Sequence, residues 1–140
     1  MDTVKVATTL VDKREDIIQC WLQKVVAHPV LAAVPMTPVL RRDHAGLLLA
    51  EIADRLRGRP SLRVSDPAVH FAQERLALGY TPEMEAIELA LMIEAADEVL
   101  AAEHDPNDRL AAVAELLGLA QRALETAVRA CGGHEEAAAV

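Results

Sequence analysis

Apolar residues return every three or four positions along most of this chain, and proline or glycine interrupts each run. Val11, Ile18, Trp21, Leu22, Val25 and Val26 follow helical spacing and predict a first helix from about Thr9 to Ala27. The segment HPVLAAVP (28–35) ends it, because the residue before a proline avoids helical geometry; a single turn fits within it. Thr37-Pro38 supplies an N-cap and a proline for the first helical position. It opens a second helix carrying Leu40, His44, Leu47, Leu48, Ile52 and Leu56 on one side, stopped by Gly58 and Pro60. GRPSLRVSDP (58–67) reads as a loop and as the most mobile internal segment. Asp66-Pro67 opens a short third helix on Ala68, Val69, Phe71, Ala72, Leu76 and Ala77, and Gly79 ends it in the left-handed conformation that glycine adopts freely. Thr81-Pro82 opens a fourth, with a stripe of Met84, Ile87, Leu91, Ala95 and Val99. Leu89, Ala90 and Ile93 give it a second apolar side, so it is expected to be the most buried. EHDPND (103–108) is the next break, with Asp105 or Asn107 as cap. A fifth helix follows to about Ala130 on Leu110, Val113, Leu117, Ala120, Leu124 and Val128. Gly132 and Gly133 end it, leaving 132–140 as a tail expected to be disordered.

Composition narrows the class. The 140 residues suit one domain, here 1–131, with a real core. Apolar residues are 52% of the chain but aromatics only 2%, so the core must come from Leu, Ala, Val and Ile. These favour helix, alternating strand-like runs are missing, and the fold class is all-α. A formal net charge of −8 disfavours a general binder of nucleic acid or anionic membrane. The basic clusters LRR (40–42) and RLRGRP (55–60) read as exposed edges or ends of one helix. Cys20 and Cys131 have no metal-binding spacing. The N-terminus lacks the pattern of a signal peptide, and no stretch of about 18 uncharged apolar residues occurs. The expectation is a cytoplasmic protein with reduced thiols, although a disulfide stays open.

Candidate chemistry is sparse. His70 and Glu74 form an i, i+4 pair that could hold a cation, but there is no HExxH and no recurring ExxH. A solvated helix face is the favoured reading, and no metal is expected. Haem would need an apolar pocket and an axial histidine. His44 and His70, the two histidines on helix bodies, are the candidates for that alternative, and hydrogen-bonded structural histidines are the favoured one. Ser61 and Ser65 lie in a polar loop with no nucleophile elbow, and no glycine-rich phosphate loop exists. No catalytic residue and no cofactor are expected.

That leaves ERLALGYTPEMEAIE. Arg75 and Glu88 sit about two turns either side of the Gly79 joint, so helices folding back there would let them meet. An Arg–carboxylate pair suits the bracing of a partly buried junction. The sharper alternative is that the two line a small ligand pocket.

The pattern Arg75, Gly79, Tyr80, Glu88 resembles the N-terminal domains of RsbR-type stressosome proteins, also found ahead of some sensor histidine kinases. Trp21 resembles that family's first-helix tryptophan, and LLLAEIADRL (47–56) its second-helix signature. The resemblance spans roughly residues 15–100. Phe71 stands where the family often has histidine, with His70 one place off, and Leu89 and Ile93 replace a tyrosine and an arginine. The resemblance implies a globin-like bundle of about five helices, without haem, in a homodimer. It implies a sensory or scaffolding role with output passed to a C-terminal STAS or kinase domain; a separate signalling partner of STAS, kinase or anti-sigma type is the expected partner of this chain. The joint or pocket residues would be Arg75, Gly79, Tyr80 and Glu88, with His70 and Trp21 as possible ligand contacts.

Overall fold

The chain is all-α. A computed structural model describes residues 3–34, 36–59 and 67–139, and no strand occurs among them. The helices are α1 (Thr3–Asp12), α2 (Arg14–Ala27), α3 (Pro29–Ala32), α4 (Pro38–Leu56), α5 (Pro67–Ala77), α6 (Pro82–Leu100) and α7 (Pro106–Ala139). The expected loop 58–67 falls largely outside the described residues, together with Ser61, Ser65 and Asp66.

Proline punctuation sets most of the boundaries. α3 through α7 each begin on a proline, whose fixed φ suits the first helical position and whose missing N–H is not needed there. Thr37 Oγ1 accepts from Leu40 N at 3.3 Å, Thr81 Oγ1 from Met84 N at 3.3 Å, and Asp105 Oδ1 from Asp108 N at 2.9 Å. Asp105, rather than Asn107, is therefore the cap of α7. At Thr81 the Met84 sulfur accepts the cap residue's own N–H at 3.5 Å, where a capping box usually has a carboxylate.

The expected count of about five helices is corrected to seven among the described residues. The first predicted helix begins earlier, at Thr3, and bends at Lys13 into α1 and α2; the turn after His28 forms α3. The bend falls in Asp12–Asp16, where every residue is charged and exposed, so no packing holds the axis straight. It lets α1 pack mainly on α4 while α2 packs mainly on α6. α7 also departs from expectation: its helical backbone runs through Gly132-Gly133 to Ala139 rather than stopping at Ala130. Each helical glycine costs only about 1 kcal/mol, and the EEAAA that follows is a strong helix-forming sequence.

Small and aliphatic side chains build one core around Trp21, Phe71, Ile17, Leu49, Ile52 and Met92. α6 packs on α1, α2, α3 and α7. Neither α4 nor α5 packs closely against α6, and long polar side chains span that gap.

Three stripes are rotated from the predicted ones. On α6 the buried face is Glu85, Glu88, Leu89, Met92, Ala95, Ala96 and Leu100. On α4, Arg41, His44, Ala45, Leu48, Leu49, Glu51 and Ile52 are buried, while Leu47 is exposed. On α7 the alanines Ala112, Ala120, Ala123 and Ala127 are buried with Leu116 and Leu119, whereas Leu110, Leu117 and Val128 face outward.

α5 ends as predicted. Tyr80 N donates to Arg75 O at 3.0 Å and Gly79 N to Leu76 O at 3.0 Å, the two bonds of a Schellman motif, with Gly79 at φ 90°. A Cβ at Gly79 would meet nothing within 4 Å, so only backbone conformation opposes a side chain. Gly79→Ala should therefore cost about 1–2 kcal/mol in chemical denaturation. An unchanged midpoint would mean the joint relaxes out of the left-handed region.

Candidate functional site

The Schellman turn fixes more than the end of α5. It places Arg75, whose carbonyl accepts the Tyr80 N–H, next to the Tyr80 ring, with the guanidinium 5.7 Å from the ring centre. The Phe71 ring, one turn earlier, lies under the same guanidinium at 4.3 Å. The Arg75 guanidinium thus lies over two aromatic rings, a geometry favourable to a cation.

From the other side of the joint, Glu88 reaches the same point. Its Oε1 accepts from Arg75 Nε at 3.0 Å and from Arg75 Nη2 at 2.6 Å. Both side chains are 0% exposed. The sequence-predicted pair therefore meets, and it meets fully inside the protein. Trp21, also sealed from solvent, donates its ring N–H to the Glu88 carbonyl at 3.1 Å, tying α2 to α6 at this residue.

Three further residues that the sequence reading did not place here complete the cluster. Arg41, expected on an exposed basic edge, is instead 5% exposed. It donates to Glu88 Oε2 at 3.4 Å and to Leu31 O at 3.3 Å. Its position three residues before His44 and four before Ala45, on the buried stripe of α4, was the available signal. His44 receives an Arg75 N–H at Nδ1. Glu85 lies one turn before Glu88, is 0% exposed, and neither of its oxygens has a hydrogen-bond partner among the described residues.

Burial without a partner governs the protonation. It pushes the Glu85 carboxyl up to about 8, against the pull of Arg75 and with the push of Glu88. Burial, then the Arg75 charge, lowers the pKa of His44, which fits an Nδ1 that accepts from a guanidinium. Burial raises the Tyr80 hydroxyl, and the charge of Glu88 adds to this. The result is two guanidiniums around the one carboxylate of Glu88.

His70 sits beside the cluster with its side chain 48% exposed and Nε2 3.5 Å from Glu74 Oε1. His44 Nε2 lies 3.9 Å from Glu74 Oε2, and donors of His44, His70 and Glu74 all fall within 4.8 Å of one another. These are the residues that could hold a metal ion. The Arg75 bond works against it: with Nδ1 accepting, the ring proton sits on Nε2, the nitrogen that faces Glu74. A metal ligand usually shows the reverse, with its second nitrogen donating to an acceptor. The void bordered by His44, Leu47, His70 and Phe71 is about 10 Å³.

A larger cavity of about 300 Å³ is walled by α2, α3 and Met36, with Arg41 its one charged lining residue among the described residues. Cys20 and Cys131 are free thiols. Cys20 donates to Glu98 at 3.3 Å, and burial with that contact raises its pKa. No helix among the described residues is long and apolar enough to cross a membrane.

No protein-family model, no curated protein and no solved structure matches this chain.

Proposed function

We propose that this chain is a non-enzymatic, haem-free signalling module, globin-like in arrangement, that works as a homodimer and responds to a small ligand or a partner. The observation that carries the reading is the double face of α7. Its inner face buries four alanines with Leu116 and Leu119, while three large apolar side chains point outward: Leu110 is 58%, Leu117 54% and Val128 57% exposed. Leu110, Leu117 and Leu124 recur every seven residues, and Ala114, Gln121 and Val128 interleave with them at the same interval. That is the spacing of a two-helix seam, and a second copy presents the same seam in return. Glu125 and Arg129 flank it with both signs of charge.

The absence of an enzymatic role is supported by the sealing of the titratable cluster. Arg75, Glu85 and Glu88 are each 0% exposed and cannot touch a substrate in this state. A Cys20 thiol with a raised pKa is a poor nucleophile. The signalling part of the reading, and with it a cytoplasmic setting and a STAS, kinase or anti-sigma type partner, follows the resemblance carried by Arg75, Gly79, Tyr80, Glu88 and Trp21. The alternative, a haem-binding sensor using His70 or His44, has less support: the void beside both rings is about 10 Å³ and His44 Nδ1 is engaged by Arg75.

Light scattering behind size exclusion tests the dimer. At micromolar concentration the wild type should show twice the 15.1 kDa chain mass. Leu117→Glu should weaken association by at least a hundredfold, about 3 kcal/mol, with far-UV circular dichroism unchanged. A monomeric wild type overturns the reading.

A further inference from the structure

We propose that the cavity in front of Arg41 binds a small apolar carboxylate, with its charged end on the Arg41 guanidinium and its hydrocarbon end against α2 and α3. This names the ligand class for the small-ligand part of the function proposed above, but its test is separate from that of the dimer.

Charge is the first argument. Glu88 gives one oxygen to Arg75 in two bonds of 2.6 and 3.0 Å, and offers Arg41 only a 3.4 Å contact from the other. Arg41's second contact, to the Leu31 carbonyl, is 3.3 Å. A guanidinium has five N–H donors and binds a carboxylate best through two short parallel bonds. Arg41 has neither of those bonds. Glu85 does not make up the deficit: the cation that acts on it is Arg75, and its carboxyl is largely protonated at neutral pH. His44 is held as an acceptor and brings no negative charge. The positive charge in excess thus lies at Arg41, 5% exposed, and Arg41 is the cluster's only member on the cavity wall.

Shape is the second argument. Leu22, Val25 and Val26 of α2, Leu31 of α3, Val34 and Met36 make most of the remaining wall apolar, and Gln23 adds one uncharged polar side chain. A mostly apolar cleft with a few polar groups is the usual form of a small-molecule site, and about 300 Å³ is at the small end of that range. The ligand is therefore a short chain or a single ring carrying one carboxylate. A phosphate or dicarboxylate would bring more charge than Arg41 can match and would leave it against aliphatic walls.

Sodium octanoate and phenylacetate are the probes, titrated calorimetrically into the full chain in a buffer free of carboxylates, with 1-octanol and acetate as controls. At least one of the two carboxylates should bind, and about tenfold or more tighter than either control; which one does separates chain from ring. Arg41→Met should abolish that preference. Ala32→Phe, at an exposed position on the cavity wall, should block binding while leaving Arg41 in place, which guards against a misfolded Arg41 variant. Binding should persist in Leu117→Glu whether or not that chain dimerises, so failure here is distinct from failure of the dimer. Octanol binding as well as octanoate, no binding below millimolar concentration, or binding untouched by Ala32→Phe would each overturn the proposal. So would a dimer that dissociates on Ala32→Phe without any carboxylate binding, since the cavity would then belong to the second copy.

Discussion

Glu88→Ala is expected to cost about 3–5 kcal/mol of folding stability, enough to lower the melting temperature by roughly 10 °C or more. The loss comes from what remains behind. Arg75 is 0% exposed and surrenders two bonds to Glu88, while Arg41, 5% exposed, surrenders a third. Water cannot reach Arg75 to replace them, and two guanidiniums are left facing each other's charge. The Trp21 bond to the Glu88 carbonyl survives, because alanine keeps the backbone. A second variant separates charge from packing. Arg75→Met with Glu88→Leu removes both partners and fills similar volume, so it should recover a good part of the loss. The recovery should be incomplete, since Arg41 still lacks its counter-charge. An unchanged melting temperature in Glu88→Ala would sink the bracing role and strengthen the idea that Glu88 faces a ligand.

The parts of this molecule that were legible in its sequence are those set by local chemistry. Proline at a first helical position and a Thr or Asp before it locate the starts of α4, α6 and α7, because capping acts within a few residues. Gly79 ends α5 for an equally local reason. The buried faces of α4 and α6 are harder to see, because a charged residue belongs at the surface by default. On α4 and α6 the interior face carries Arg41, Glu51, Glu85 and Glu88 among its apolar residues. A stripe drawn through apolar positions alone is then rotated toward solvent. Such a stripe leaves Arg41 on an exposed basic edge and passes over Glu85. The Arg75–Glu88 pair was found because the two flank a turn, so a local signal implied a tertiary contact. The His44 and Arg41 contacts come from a helix more than thirty residues earlier in the chain, and no local rule reports them. α7 departs from the expected stripe for another reason: Ala112, Ala120, Ala123 and Ala127 share its buried face with Leu116 and Leu119, because close helix packing accepts small side chains, while Leu110, Leu117 and Val128 face outward.

Glu85 gives the clearest expectation for pH. In the unfolded chain its carboxyl titrates near the ordinary 4.5, and in the folded protein near 8. Between these values the native state holds a proton that the unfolded state has released. Stability from this residue therefore falls as pH rises, by about 1.4 kcal/mol per unit. Below about pH 4 both states are protonated and the penalty is absent; above about 8 it is fully developed. Near pH 7 it has reached the order of 3 kcal/mol. Glu85→Met keeps a long side chain, removes the ionisable group, and loses no hydrogen bond to the described residues, among which neither carboxyl oxygen has a partner. The variant and the wild type should therefore be closely matched near pH 4 and diverge steadily above pH 5, with the variant the more stable in urea unfolding. The gap between the two curves is the quantity to read, since other carboxylates titrate in both proteins and cancel. Glu85→Gln should fall between them, being uncharged but still polar and unpartnered. Parallel curves from pH 4 to 8 would mean that Glu85 ionises normally in the fold. It would then share Arg75 with Glu88, and the buried cluster would hold a balanced set of charges, leaving Arg41 no excess with which to bind an anion.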